Sequence, residues 1–290
     1  MVFLNVLTNL LFLSLHGLKD KLLILLFFAT LIGCKKDPSP WKINNLEGGQ
    51  IRVFGHGGMG ELYNYPMNSM KSLNDVLDLG AFGTEMDVEL SADNVLVLYH
   101  NNKLEDGTRC DGVIRSKNWS DIKNCHYTHP ITKPALLISA DDFLSQRRDG
   151  NFHFTFDCKV EANDNEVYIQ DFTKQLYDLI LKYNLVERCT IESYNMSFLK
   201  VLQEKDSRLR LFVHADTYHD ALGINAQVKL YGITMDRLRI SAAEIDDAHA
   251  RGLRVALYNT YTEKANLDAI EMNPDIIQSD KCDFLLNALN

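Results

Sequence analysis

From residue 51 onward the chain alternates between two periodicities. Short β-rich runs occupy residues 51–55, 83–90, 95–100, 152–159, 189–193, 209–214, 232–235, 254–259 and 275–279. Between most of them lie stretches of helical period. In 68–79 the apolar positions are Met70, Leu73, Val76, Leu77 and Leu79; in 166–183 they are Val167, Ile169, Phe172, Leu176, Leu179 and Ile180. A third stretch, 241–251, has Ser241 in place as an N-cap and Gly252 as a stop. Strand followed by helix, repeated about eight times, predicts an α/β protein with a parallel sheet. In one chain of this length the pattern favours a closed (β/α)₈ TIM barrel over an open doubly wound sheet. No Gly-x-Gly-x-x-Gly follows the first run, so the usual dinucleotide-binding signature is missing.

Two regions break the alternation. Residues 101–150 hold Gly107, Cys110, Gly112, Trp119, Cys125, Pro130 and Pro134. They read as a loop-rich excursion above the barrel, closed by a helix over 139–148. Loops of that length without regular structure are commonly functional. The first 40 residues are different again. Residues 2–18 are mostly apolar, Lys19-Asp20-Lys21 follow, and a second apolar run covers 22–32. That run is short for a bilayer span and suits a signal-peptide core. It ends in Leu31-Ile32-Gly33-Cys34, then Lys35-Lys36-Asp37, which resembles the lipobox of bacterial lipoproteins. The resemblance implies a signal peptide over 1–33, lipidation of Cys34, a tether over 34–50 with Pro38 and Pro40, and a barrel over 51–290. The protein would then be lipid-anchored in the cell envelope, periplasmic or surface-exposed. An uncleaved signal anchor with an incidental cysteine is the other reading.

Composition narrows the partners. Hydrophobic residues make up 46% and charged residues 24% of the 290, enough for an ordinary globular core. The formal net charge of −9 argues against a nucleic-acid partner, which needs a basic face. Five cysteines besides Cys34 leave at least one thiol free. Cys110 and Cys125 share one polar region; they either pair in an oxidising compartment or stay as two loop thiols, and the spacing leaves both open. No cysteine spacing matches a zinc site.

Chemistry concentrates in three clusters at strand ends. Phe54-Gly55-His56-Gly57-Gly58 follows the first run, and its glycines permit close approach of backbone and substrate. Gly83-Thr84-Glu85-Met86-Asp87-Val88-Glu89 places Glu85, Asp87 and Glu89 on one face of a strand and Met86 and Val88 on the other. Acidic side chains facing a barrel interior need partners or a metal. The third cluster is an apolar run ending abruptly in His100. Singly these are a turn histidine, a solvated edge strand and a strand cap. Together they fall on the rim where barrel enzymes carry their catalytic groups.

These residues resemble the glycerophosphodiester phosphodiesterase family. The likeness lies in His56-Gly57-Gly58, Asn68-Ser69, 80–88, Asp93, Val97 and His100. It continues in Phe156-Asp157-Cys158-Lys159, in a serine-bearing strand at 190–194, and in the last two strands at 252–260 and 273–280. The resemblance implies a (β/α)₈ barrel whose two histidines, His56 and His100, act as general acid and base in an unassigned order. Glu85, Asp87 and Asp157 would hold one divalent cation, and three hard oxygen ligands point to Mg²⁺ or Ca²⁺. Lys159 would sit by the substrate phosphate as a fixed positive charge. The implied reaction cleaves a glycerophosphodiester to glycerol 3-phosphate and an alcohol, with the neighbouring glycerol hydroxyl attacking first. Gly57 stands where the family usually has an arginine, Asn101 where it has an acid, and Asp157 where glutamate is commoner. Relatives acting on sphingomyelin and lysophospholipids also tend to lack that arginine. Phospholipase D-like action on a lysolipid is therefore one alternative, and a non-catalytic phosphodiester-binding lipoprotein is another.

Overall fold

A computed structural model describes residues 41–128, 133–147 and 150–290. Cys34, the 1–33 segment, Pro130 and Arg148 lie outside the described residues. Eight parallel strands close a barrel: β1 (Arg52–Gly55), β2 (Gly83–Leu90), β5 (His153–Cys158), β6 (Cys189–Ser193), β7 (Arg210–His214), β8 (Gly232–Asp236), β9 (Arg254–Thr260) and β10 (Ile276–Ser279). Closure comes from β1, which pairs with β10 on one side and with β2 on the other. The expected (β/α)₈ barrel is thus the fold. One run differs in kind from its prediction. β3 (Leu96–Leu98) is antiparallel to β2, with Val88 opposite Leu98, and a two-residue strand β4 (Ile138–Ser139) pairs antiparallel with it. This hairpin branches off the barrel instead of joining it.

Strand alternation sorts the side chains. Val53, Met86, Val88, Phe156, Ile191, Val213, Met235, Val255 and Ile277 belong to the main core, packed with Leu73, Phe172, Phe198, Ile245 and other helix residues. The alternate positions fill the barrel interior, which changes character from bottom to top. Its floor is the apolar layer Phe54, Phe212, Ala256 and Ile276. Gly83 and Gly232 make room for the rings: a Cβ there would come within 2.6 Å of Phe54 Cε1 and 2.4 Å of Phe212 Cε1. Above the floor the inward side chains are polar. Thr155 and Thr190 hydroxyls lie 2.7 Å apart, and the buried Glu192 accepts from Thr234 Oγ1 (2.7 Å) and Gln278 Nε2 (2.9 Å).

The helices begin where their capping chemistry places them. Ser69 caps Met70–Asp78, and Ser241 with Glu244 forms a capping box at Ala242–Ala250, which stops before Gly252 in a left-handed conformation. The helix expected over 139–148 runs Ala140–Gln146 behind a Ser139–Asp142 capping box. The excursion is less loop-like than expected. Val97, Tyr99, Leu104, Ile114, Ile122, Cys125 and Leu137 form a small core of their own, and a Cys110–Cys125 disulfide ties it, with Cα atoms 5.8 Å apart. Cys158, Cys189 and Cys282 are free and buried.

Of the stretch 34–50 read as a tether, 41–50 lie among the described residues, and they are seated on the barrel's lower end. Trp41 Nε1 donates to Ala288 O (2.7 Å), Leu46 N donates to Asp275 Oδ1 (2.7 Å), and Arg254 Nε donates to Glu47 Oε1 (2.5 Å). Among the described residues no helix is long and apolar enough to cross a membrane.

Candidate active site

The upper ends of the strands converge on a polar hollow. β1 ends at Gly55, so His56 emerges at the rim, where its Nδ1–H points at both oxygens of Asp280 (3.1 and 3.2 Å), just past β10. Burial works against a charged ring here. Asp280, with Glu85 and Asp87 nearby, outweighs it and pushes the His56 pKa up to about 10. Gly57 follows with φ +55°, and its N–H donates to Glu85 Oε2 at 2.7 Å. A Cβ at Gly57 would fall 2.7 Å from Met67 Cβ. The departure from the family's arginine is therefore built into the backbone, since a side chain there meets both an unfavourable φ and Met67.

Register brings the carboxylates together. Asp87 on β2 lies beside Asp157 on β5, and Glu85 lies beside Thr155 one step below. Glu85, Asp87 and Asp157 are all buried, and ligand atoms from the three lie within 4.8 Å of one another. Asn68, fully buried, fixes Asp87 from two sides: its Nδ2 donates to Asp87 Oδ2 (2.6 Å) and its Oδ1 accepts Asp87 N–H (3.0 Å). Glu89 shares the strand face but stands apart from the trio, and burial pushes its carboxyl up to about 8.

Lys159 enters this cluster directly. Its ammonium sits between Asp87 Oδ1 (2.6 Å) and Asp157 Oδ2 (2.5 Å). The residue expected beside the phosphate is thus engaged with two of the carboxylates. Burial opposes its charge, but Asp157 and Asp87 hold its pKa well above the usual lysine value. Burial likewise opposes ionisation of Asp87, and Lys159 with the two histidines keeps its carboxyl below the usual range. For Glu85 the balance falls the other way. Burial and the neighbouring Asp87 outweigh His56 and Lys159 and push it well above the usual carboxylate value, and its Oε1 has no hydrogen-bond partner among the described residues. Three carboxylates against one ammonium, with an orphaned buried oxygen, form a donor set that fits a divalent cation. All-oxygen ligation excludes a thiol-seeking metal.

His100 arrives from the hairpin rather than from a barrel strand. Its ring centroid lies 6.4 Å from that of His56 at 88° between planes. Its Nδ1 is 3.0 Å from Asn101 Oδ1. An amide oxygen only accepts, so Nδ1 is the donor nitrogen of this contact. All five residues expected at the centre, His56, His100, Glu85, Asp87 and Asp157, therefore meet, with Lys159 among them. Sequence reasoning missed three neighbours. Asp280 was read only as part of the last strand. His214, at the top of β7, stacks on Tyr194 (4.8 Å, 14°), with Nε2 3.5 Å from Asp157 Oδ1 and 3.4 Å from Glu192 Oε2. Neither of its ring nitrogens forms a hydrogen bond among the described residues. It carries the signal that singled out His100, an apolar run ending in histidine. The third is Tyr127, which lines the same cavity as His56 and His100.

Comparison with known proteins agrees with this geometry. Residues 56–284 match the Glycerophosphoryl diester phosphodiesterase family. The chain belongs to that family. It is a phosphoric diester hydrolase with the family's barrel. A probable glycerophosphodiester phosphodiesterase 2 of Mycobacterium tuberculosis is 32% identical over 249 residues, 83% of this chain and 91% of that protein. A glycerophosphodiester phosphodiesterase of Bacillus altitudinis is 23% identical over 202 residues, 64% of this chain and 79% of its own length. Among solved structures, a glycerophosphoryl diester phosphodiesterase from Silicibacter pomeroyi superposes with a TM-score of 0.75 at 15% identity, covering 87% of this chain and 94% of that one. A phosphodiesterase from Oleispira antarctica, solved with the product sn-glycerol-3-phosphate, gives 0.69 at 16% identity over 82% of this chain and 96% of its own.

Proposed function

We propose that the protein hydrolyses glycerophosphodiesters to glycerol 3-phosphate and an alcohol, using His56 and His100 as proton carriers beside a divalent cation, Mg²⁺ or Ca²⁺, held by Glu85, Asp87 and Asp157. The observation that carries this reading is the meeting of both histidines with the buried carboxylate trio at the barrel's upper rim. When bound, the cation supplies Lewis-acid polarisation of phosphoryl oxygens and offsets developing charge. The two histidines divide the proton work by their partners. His56 faces the carboxylate of Asp280, which favours the charged ring, so its Nε2–H is the donor to the departing alkoxide. His100 faces neutral Asn101 through Nδ1, and Nε2 of the neutral ring takes the proton from the attacking hydroxyl, whether of the glycerol or of water. Lys159 and Asn68 keep Asp87 and Asp157 aimed inward. The Oleispira complex with sn-glycerol-3-phosphate supports that product for the fold.

The location belongs to the same reading: a lipoprotein held in the cell envelope through Cys34, with its body in an oxidising compartment. The Cys110–Cys125 disulfide supports that compartment. The test of function is direct. Purified protein is incubated with glycerophosphoethanolamine, glycerophosphocholine or lysophosphatidylcholine, with Mg²⁺, Ca²⁺ or EDTA, and glycerol 3-phosphate and free headgroup are measured. Metal-dependent glycerol 3-phosphate release from the deacylated diesters is expected. Choline from the lysolipid alone would transfer the reading to a phospholipase D-like enzyme, and binding without turnover to a phosphodiester-binding lipoprotein.

A further inference from the structure

The three carboxylates of the trio are not held alike. Asp87 is gripped by Asn68 from two sides and by Lys159. Glu85 accepts from the backbone N–H of Gly57. Asp157 has one hydrogen-bond donor among the described residues, Lys159 on Oδ2. That donor is itself a cation, and a divalent ion among the trio repels it. The brace on Asp157 is therefore the one that loading weakens. Its other oxygen, Oδ1, faces His214 Nε2 at 3.5 Å. Strand register produces this meeting. Asp157 on β5 lies beside Glu192 on β6, Glu192 lies beside Phe212 on β7, and His214, two residues on, shares the inward face of Phe212.

The surroundings of His214 hold its ring in place. It stacks on Tyr194 (4.8 Å, 14°) and meets Tyr258 edge-on (5.7 Å, 71°). Its Nε2 is also 3.4 Å from Glu192 Oε2. Glu192 is anchored in turn, accepting from Thr234 Oγ1 (2.7 Å) and from Gln278 Nε2 at both oxygens (2.9 Å each). Carboxylates accept, so Nε2 is the donor nitrogen of both contacts. Neither contact is a completed hydrogen bond. A buried donor thus stands between an anchored carboxylate and one held at a single oxygen. His214 is not a further ligand, since the donor atoms that fall within 4.8 Å of one another belong to Glu85, Asp87 and Asp157 alone among the described residues. We infer that His214 is the positioning residue for the third metal ligand. Backed by Glu192, its Nε2–H completes the hydrogen bond to Asp157 Oδ1 and keeps that carboxylate in its ligating orientation when the cation loosens Lys159.

The inference rests on the cation reading above, and the experiment separates the two. Metal-stripped full-length protein is titrated calorimetrically with Mg²⁺ and with Ca²⁺ as wild type, His214→Phe, His214→Leu and His214→Gln, and the Tm of each stripped protein is recorded. Phe and Leu both lack the donor but differ in volume, so either carries the comparison if the other fails to fold. Gln restores an N–H. Loss of the donor is expected to weaken cation affinity about 10–100-fold, the usual worth of a ligand's outer partner. His214→Phe, which keeps a ring between the two tyrosines and removes no completed hydrogen bond, should leave the stripped Tm undiminished. His214→Gln should recover affinity to within a few-fold of wild type. A purely structural role would lower the stripped Tm and leave affinity unmoved. Wild-type affinity in the donor-less variants, or the same loss in Gln as in Phe and Leu, would overturn the assignment while leaving the cation site standing. A wild type that binds neither ion would overturn the cation reading and this inference with it. Binding without turnover of any diester would overturn the hydrolase reading alone.

Discussion

Two buried carboxylates, one at each end of the barrel, live in opposite circumstances. Asp275, at the lower end, is fully buried and saturated. Its oxygens accept from Leu46 N (2.7 Å), Val255 N (2.8 Å) and His249 Nε2 (2.8 Å), joining the N-terminal segment, β9 and the helix Ala242–Ala250. Glu85, toward the upper end, is 2% exposed and accepts one hydrogen bond, from Gly57, with Oε1 left over. His214 and Tyr127 repeat the pattern at the top. A saturated buried charge contributes to holding elements together. An unsatisfied one costs stability that only a ligand restores. The lower end is built for the fold, and the upper end is completed by what binds there.

The sharpest way to break this contrast is to remove one residue from each end. His56→Ala or His100→Ala should lower kcat by about 10²–10⁴-fold, the usual worth of a positioned acid or base, while circular dichroism and Tm stay close to wild type. A loss under tenfold from either would take that histidine out of the proton chemistry. Asp275→Ala should do the reverse. Three donors lose their acceptor, so denaturant unfolding should show a loss of about 3–5 kcal/mol, while kcat per folded molecule holds. A kcat collapse with unchanged stability would contradict the division of labour.

The smallest effect concerns acid stability at the lower end. His153, at the start of β5, stacks on Phe82 with centroids 4.2 Å apart. Burial, then Arg210, Arg188 and Arg52, push its pKa down from 6.5 to about 4. The folded protein therefore holds this ring neutral where the unfolded chain protonates it. Its contribution to stability is present above pH about 6.5 and is lost as pH falls toward about 4. His153→Gln should flatten the stability profile across that window without changing it above pH 7. A profile as steep as wild type would assign the acid limb to other groups.

Much of this architecture was legible beforehand, for a physical reason. Period-two alternation in 83–90 already places Glu85 and Asp87 on one face and Met86 and Val88 on the other, and register only adds Asp157 beside them. What periodicity does not carry is direction. The run 95–100 reads like its neighbours, yet it turns back antiparallel on β2 and delivers His100 from outside the barrel wall. Nor does it carry reach: Glu89 has the right face but stands outside the metal-competent cluster. Lys159 was expected beside the substrate phosphate; its grip on Asp87 and Asp157 depends on two strands being adjacent. Tyr127 had no local signal at all. Its position follows from long-range ties, the Cys110–Cys125 bond and the bridge between Thr108 and Tyr127.

The central claim, that the upper end is completed by a divalent cation on Glu85, Asp87 and Asp157, is tested most directly by thermal unfolding of metal-stripped protein titrated with Mg²⁺ or Ca²⁺, alongside Glu85→Gln. A ligand that binds only the folded state raises Tm with its concentration. Wild type is expected to gain several degrees at saturation, and Glu85→Gln to start higher than stripped wild type and gain little. A wild-type Tm indifferent to both ions, or an equal gain in the variant, would contradict the account.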